Sequence, residues 1–275
     1  MVYLFFVNLD PDLKRLAALE GFFALRTGRP RPRTGRPPLP TLAEVYATPG
    51  VTAAQDHAVQ DHAASDRVAS GHEESDPLTF RVRKVVRLLA APETRVGVSV
   101  AQQGFAARLW SVALGSAVLY GRVPDLDPRL LHWDADGSAP DDLWLSEVRA
   151  LPGDAATIRR LVHHGHLAPL SAALRARHPV AAGLLWGNAA SALASTARLL
   201  EGRAAAHGRT DVRDHVRALT AELLDHPDLR DTGNWDGTAF RRRSCCLYYR
   251  VPGGGVCGDC CFTQAPRSSL TDPSG

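Results

Sequence analysis

Cysteine is missing from the first 244 residues of this 275-residue chain. A secreted disulfide framework would spread its bridges through the fold, so that class is excluded for the body of the protein. Long apolar runs are missing as well. No stretch approaches the ~20 residues that a membrane-spanning helix needs. The apolar start Met1–Val7 has neither a basic leader nor a small-residue cleavage site, so no secretory signal is expected. Strand–helix alternation is absent, which argues against a doubly wound sheet. Charge of one sign is hardly in excess: 32 Lys and Arg stand against 29 Asp and Glu, a net +3. The arginines gather in the loop Arg26–Arg36 and at Arg241–Arg243 with Arg250, rather than in a stripe along a helix, so no nucleic-acid partner is expected. These absences lead to the expectation of a cytoplasmic protein with no transmembrane segment. Peripheral contact of the apolar N-terminus with the inner face of a membrane is the one membrane association they leave open.

What is present is ordinary globular composition, 45% apolar and 22% charged, in a chain long enough for a substantial core. Asp10-Pro11 reads as an N-cap and first-turn proline, opening a helix through Leu13, Leu16, Ala17 and Phe23 to Arg26. Residues 26–40 repeat Arg-Thr-Gly-Arg-Pro (26–30 and 33–37) and are expected as a loop. Thr41-Leu-Ala-Glu44 is a capping box for a short helix ending before Pro49. Residues 51–76 are polar and self-similar, with Gln-Asp-His-Ala at 55–58 and 60–63. They read as a solvated low-complexity insertion, and His57, His62 and His72 as solvated side chains rather than metal ligands.

Asp76-Pro77 opens an amphipathic helix through Phe80, Val82, Val85, Val86, Leu88 and Leu89, with Arg81, Arg83, Lys84 and Arg87 on a solvated face. Ser99-Val-Ala-Gln102 reads as a second capping box, opening a long apolar helix through Leu109, Trp110, Val112, Leu114, Val118 and Leu119. Gly115 within it either admits a neighbouring element or breaks the run. Leu130–Trp133 and Leu143–Leu145 are expected to pair as a hairpin across the turn Asp134–Asp142. Further helices are expected at 154–164, 167–177, 180–202 and 210–224, with Asp154 and Thr210 or Asp211 as caps. His163-His164-Gly-His166 is read as a helix-end group contacting carbonyls, not as a metal site.

All five cysteines fall between 245 and 261: Cys245, Cys246, Cys257, Cys260 and Cys261. The pattern is C-C-x10-C-x2-C with one cysteine more, in a chain where a disulfide framework is not expected, and it points to metal. Four thiolates satisfy a [2Fe-2S] cluster, two per iron, and two pairs joined by a glycine turn at Gly253–Gly255 suit that demand. A structural zinc site competes, although it more often uses two C-x2–4-C knuckles. A thioredoxin-like reading of Cys257-Gly-Asp-Cys260 would need a βαβ setting that is missing. Gly253-Gly-Gly-Val-Cys-Gly258 matches G-x-G-x-x-G only formally, for the same reason. Free backbone N–H groups at Gly258 and Asp259 are expected to point at sulfur, and Arg241–Arg243 and Arg250 to offset the negative charge.

Arg242-Arg-Ser-Cys-Cys-Leu-Tyr-Tyr-Arg-Val-Pro-Gly-Gly-Gly-Val-Cys-Gly-Asp-Cys260 resembles the C-terminal motif of the FhuF-like ferric siderophore reductases. Ala107–Gly115, Gly121–Leu126 and Leu185–Leu193 also look like that family. The resemblance implies a [2Fe-2S] cluster on Cys245, Cys246, Cys257 and Cys260, with Cys261 spare or a substitute ligand. It implies one-electron reduction of an imported ferric siderophore, commonly a hydroxamate, with no catalytic residue beyond the cluster. Electrons would come from an external donor such as a ferredoxin or a flavin reductase. Arg242, Arg243, Tyr248 and Tyr249, nearest in sequence to the cysteines, are the expected substrate surface. The alternative is a non-enzymatic iron–sulfur or zinc protein, acting as a siderophore- or partner-binding module or an iron sensor. The expected fold is mainly α: an N-terminal helix with the Arg/Pro loop and insertion (1–76), a helical domain with at most a small β-hairpin (77–240), and a C-terminal iron–sulfur cluster loop (241–275).

Overall fold

The helix Thr94–Tyr120 is apolar on almost every side, and a helix of that kind belongs inside a protein. In the computed structural model it is the central element, with Val96, Val98, Ala106, Leu109, Trp110, Val112, Leu114 and Ala117 all buried. The structure describes residues 9–19, 21–30, 37–47, 76–139, 141–236 and 239–266. The expectations for Met1–Val7, for most of the second Arg-Thr-Gly-Arg-Pro copy and for the histidine-bearing insertion lie outside those residues.

The described elements run α1 (Asp10–Ala17), β1 (Arg26–Thr27), α2 (Leu42–Tyr46), α3 (Pro77–Leu88), α4 (Thr94–Tyr120), β2 (Arg122–Pro124), β3 (Leu131–Trp133), β4 (Leu143–Leu145), β5 (Ala150–Pro152), α5 (Ala155–Ile158), α6 (Ala168–Arg177), α7 (Ala182–Ala206), α8 (Thr210–Leu224), α9 (Pro227–Arg230), β6 (Gly233–Trp235) and β7 (Phe240–Arg242). A π-helical turn, Arg159–Leu167, joins α5 to α6. The fold is mainly α. No helix among the described residues is long and apolar enough to cross a membrane.

α7 presents Ala189, Ala190, Ala192, Ala194 and Ala197 to the core, all buried. Small side chains let it lie close against α4, and the contact is stitched by hydrogen bonds. The Trp110 indole donates to the Ala189 carbonyl at 3.1 Å, and the Ser111 and Thr196 hydroxyls meet at 3.2 Å. α8 adds Val212, Val216, Leu219 and Leu223. Each such buried aliphatic side chain contributes roughly 1.5–3 kcal/mol. On the other side, α1 and the 3-10 turn Gly21–Phe23 lean on α4 at Gly115, where a Cβ would come 2.9 Å from a Leu16 methyl and 3.1 Å from the Phe23 ring. Gly115 therefore admits a neighbour, and the helix runs through it unbroken.

The predicted hairpin forms in the register Leu131↔Leu145, His132↔Trp144 and Trp133↔Leu143. Asp76 and Asp154 cap their helices through Thr79 and Thr157, and the Thr41–Glu44 capping box closes as read. Elsewhere the structure differs from the sequence reading. α1 stops at Ala17 instead of running to Arg26, because Phe23 reaches Gly115 from a separate 3-10 turn. β1 comes out of the expected loop to pair in parallel with β4. β2 pairs with β5 and β6 with β7, so short strands outnumber the single hairpin foreseen. Three-residue pairings of this length carry no alternation to read.

α4 begins at Thr94, which leaves Ser99 in its interior instead of at its cap. Arg81 does not face solvent alone: its guanidinium donates to the carbonyls of Asp134, Ala135 and Gly137, and Lys84 binds Asp136, so both secure the hairpin turn. α8 has Arg209 before it with no side-chain cap; Asp211 pairs with Arg209 instead.

Candidate metal centre

After β7 the chain turns through Ser244 into Cys245 and Cys246. Leu247 takes the left-handed conformation (φ 68°), which aims its N–H back at sulfur and starts the 3-10 turn Tyr248–Arg250. Gly253, at φ 70°, then reverses the chain and returns it as Cys257–Cys261. The two limbs bring five free thiols together. Cys246 lies within hydrogen-bonding reach of both Cys245 and Cys257. Those two contacts hold its thiol well below the ordinary range, while Cys245 and Cys257 are pushed up, first by sharing with Cys246 and then by burial. The Leu247 amide donates to Cys245 Sγ at 3.2 Å and the Phe262 amide to Cys260 Sγ at 3.4 Å; Tyr248 N–H serves Cys246. For Cys245, Cys246 and Cys260 the donor is thus the amide two residues beyond the sulfur, and among the described residues no such bond comes from Gly258 or Asp259. The Asp259 carbonyl is itself used by the Arg242 amide, at 3.0 Å.

Polar side chains from α4 and α7, Ser99, Asn188 and Ser191 among them buried, fix this loop. Ser99 Oγ, fully buried, donates to the Cys246 carbonyl at 2.7 Å. Asn188 donates to the Ser99 carbonyl (3.0 Å) and hydroxyl (3.1 Å), while its own carbonyl oxygen accepts from Arg242 Nη2 at 2.5 Å. The Asp259 carboxylate, also buried, accepts from Ser191 Oγ (2.6 Å) and Ser195 Oγ (3.3 Å) and pairs with Arg198 at 2.7 Å. Gly187 makes the approach physically tolerable: a Cβ there would stand 2.3 Å from Ser244 Oγ. Buried groups without partners cost about 1–3 kcal/mol each, so this network holds one loop position rather than many.

Residues 242–262 match the family model described as the FhuF 2Fe-2S C-terminal domain. The segment, which holds all five cysteines, is similar to FhuF-type iron–sulfur domains. Its cofactor is a [2Fe-2S] cluster. No curated protein and no solved structure matches the chain. The residues present fit the group. Four thiolates are required and five thiols are gathered, three of them receiving backbone N–H groups, the bonds that tune such centres.

Of the residues expected to form a substrate surface beside the FhuF-type cysteines, Tyr248 is exposed and Arg243 is exposed and directed to Asp231. Tyr249 is half-buried, edge-on to Phe262 at 5.9 Å and bonded to Arg250, which pairs with Glu93. Arg242 is a correction: at 2% exposure it lies inside the fold, because Asn188 and the Leu184 carbonyl draw its guanidinium in. Its Nε and Nη1 have no hydrogen-bond partner among the described residues, and its charge acts on Cys246, Cys257 and Cys261. The side-chain roles of Ser99, Asn188 and Asp259 are not legible in the sequence: Ser99 reads as a cap, Asp259 enters for its backbone N–H, and Asn188 only as part of the family-like stretch Leu185–Leu193.

A cavity of about 400 Å³ opens beside the cysteines. Cys246 and Cys257 form part of its wall, with Phe22, Val100, Leu199 and Tyr248. A second cavity, about 240 Å³, lies under the hairpin near Tyr46, Arg108 and Trp133 and contains no cysteine.

The histidine triplet divides. His166 is fully buried; its Nε2–H donates to the Leu126 carbonyl at 2.6 Å and its Nδ1 accepts from the Tyr46 hydroxyl at 2.8 Å. Burial lowers it to about 4. His163 and His164 lie in the π turn, not at a helix end, and meet His226.

Proposed function

We propose that the protein reduces a ferric siderophore complex by one electron at the FhuF-type centre, with Cys245, Cys246, Cys257 and Cys260 as the four ligands and Cys261 outside the set. The observation that carries this reading is the open cavity whose wall includes Cys246 and Cys257. It gives a bulky complex a place to rest against the sulfur-bearing loop. The bound cluster supplies the single electron.

The protein's own residues do the remaining work. Phe22, Val100, Leu199 and Tyr248 offer apolar surface to the organic body of the complex. Hydroxamate oxygens are hard ligands that hold Fe(III) far better than Fe(II), so reduction releases the metal without acid or base catalysis. The buried Arg242 guanidinium lies near the sulfurs, where its positive charge favours the more negative, reduced state of the loop. The helical body over 77–240, with Phe22 from the N-terminal segment and Tyr248 from the loop, walls the cavity, and residues 241–275 carry the ligands, in a cytoplasmic protein supplied by an external donor of ferredoxin or flavin-reductase type.

The test is stopped-flow mixing of the dithionite-reduced, anaerobically purified chain with a ferric hydroxamate. Return of the oxidised visible spectrum in step with Fe(II) capture by a ferrous chelator is expected. A colourless, zinc-loaded protein, or a reduced one that the complex does not reoxidise, would sink the reading.

A further inference from the structure

Residues adjacent in sequence on a regular helix do not face each other. In the π turn Arg159–Leu167 two of them do. The rings of His163 and His164 meet edge-on at 4.7 Å between centroids, with their Nδ1 atoms 3.2 Å apart. His226, from the approach to α9, lies with its ring centroid 3.9 Å from that of His163. One ligand nitrogen from each of the three falls within 4.8 Å of the others. π turns of this kind recur where a helix is adapted to a site.

The surroundings are built around His163. It is 2% exposed and stacks on Trp186 at 4.9 Å with the planes 10° apart, which sets the ring orientation. Its Nε2 lies 3.0 Å from Asp228 Oδ2, and that carboxylate favours a proton on this side of the ring. A buried imidazole thus keeps one nitrogen beside a carboxylate and turns the other toward a second imidazole. Two nitrogens bound to one tetrahedral ion at about 2.0–2.1 Å lie roughly 3.4 Å apart, close to the His163–His164 spacing. A carboxylate on the far nitrogen of a ligating histidine is the usual supporting arrangement.

We propose that His163, His164 and His226 form a second metal site, for a divalent first-row transition cation, with Asp228 as the positioning residue of His163. Imidazole donors suit ions of borderline softness such as Zn²⁺ or Fe²⁺ and disfavour Ca²⁺ and Mg²⁺. The site draws on residues separate from the FhuF-type segment and does not rest on the reductase reading. It is nonetheless joined to it through α7: Trp186 carries His163, and the next residue, Gly187, lies against Ser244 and Arg242.

The test uses the full-length, cluster-loaded chain, dialysed anaerobically against Zn²⁺, with zinc and iron counted by mass spectrometry. Wild type is expected to retain about one zinc per chain at an undiminished iron content. His164→Ala and His226→Ala, both at sites outside the core, are expected to weaken zinc binding by about tenfold or more. Asp228→Asn is expected to weaken it roughly 10- to 100-fold, and His215→Ala, an exposed histidine elsewhere, to leave it unchanged. Zinc held equally by wild type, His164→Ala and His226→Ala, zinc gained only as iron is lost, or no zinc held by wild type would each overturn the proposal.

Discussion

The cysteine loop and the histidine turn gather ligands by opposite means. The loop has almost no regular structure of its own, and its five thiols come from one short stretch of chain. Its shape is imposed by polar groups of two helices, the buried Ser99, Asn188 and Ser191 and the exposed Ser195. The histidines sit on a rigid helical turn and need only one partner, His226, from another segment. Ligands close in sequence thus depend on remote hydrogen bonds for their geometry, whereas ligands on a helix depend on where that helix packs.

The largest effect that would sharpen this contrast concerns His166, the histidine that stayed out of the turn's cluster. Its folded value of about 4 lies below its ordinary 6.5, so the fold favours the neutral ring. The associated stability is complete above pH 6.5 and is lost as pH falls toward 4. Urea unfolding of wild type should show about 2 kcal/mol less stability at pH 5 than at pH 8 from this group. His166→Gln should lack that part of the acid loss; identical acid limbs would contradict it.

Next is Asn188, which satisfies a buried guanidinium. Asn188→Ala should cost about 2 kcal/mol in chemical denaturation and also speed loss of the visible spectrum in air, since the loop loses both Ser99 and Arg242 alignment. Full stability in this variant would show that the loop holds itself.

The smallest effect separates two serines on one carboxylate. Ser191→Ala, at 2.6 Å from Asp259, should cost about 1 kcal/mol, and Ser195→Ala, at 3.3 Å, less than half of that. Thermal denaturation of both would rank them, and the reverse order would shift the anchor to Ser195.

What could be read from the sequence follows the same division. The Thr41, Asp76 and Asp154 caps, the hairpin and the cysteine pattern are signals written within a few residues, and they are where the reading placed them. Ser99 looked like a cap because Ser-x-x-Gln has the same spelling inside a helix, where the hydroxyl is spent on a carbonyl from far along the chain. Arg242 looked exposed because it stands in a run of three arginines; its burial depends on Asn188, 54 residues away, and nothing local to either residue pairs the two. His226 has no neighbour in sequence to suggest His163. Long-range contacts between single polar residues leave no periodicity, and that is why they were missed.

The most direct test of the central claim compares Cys260→Ser with Cys261→Ser for iron and acid-labile sulfide after anaerobic purification. The account predicts two irons and two sulfides per chain in Cys261→Ser, as in wild type, and loss of both in Cys260→Ser. A Cys260→Ser protein that keeps its full complement, or a wild-type chain that holds zinc and no sulfide, would contradict it.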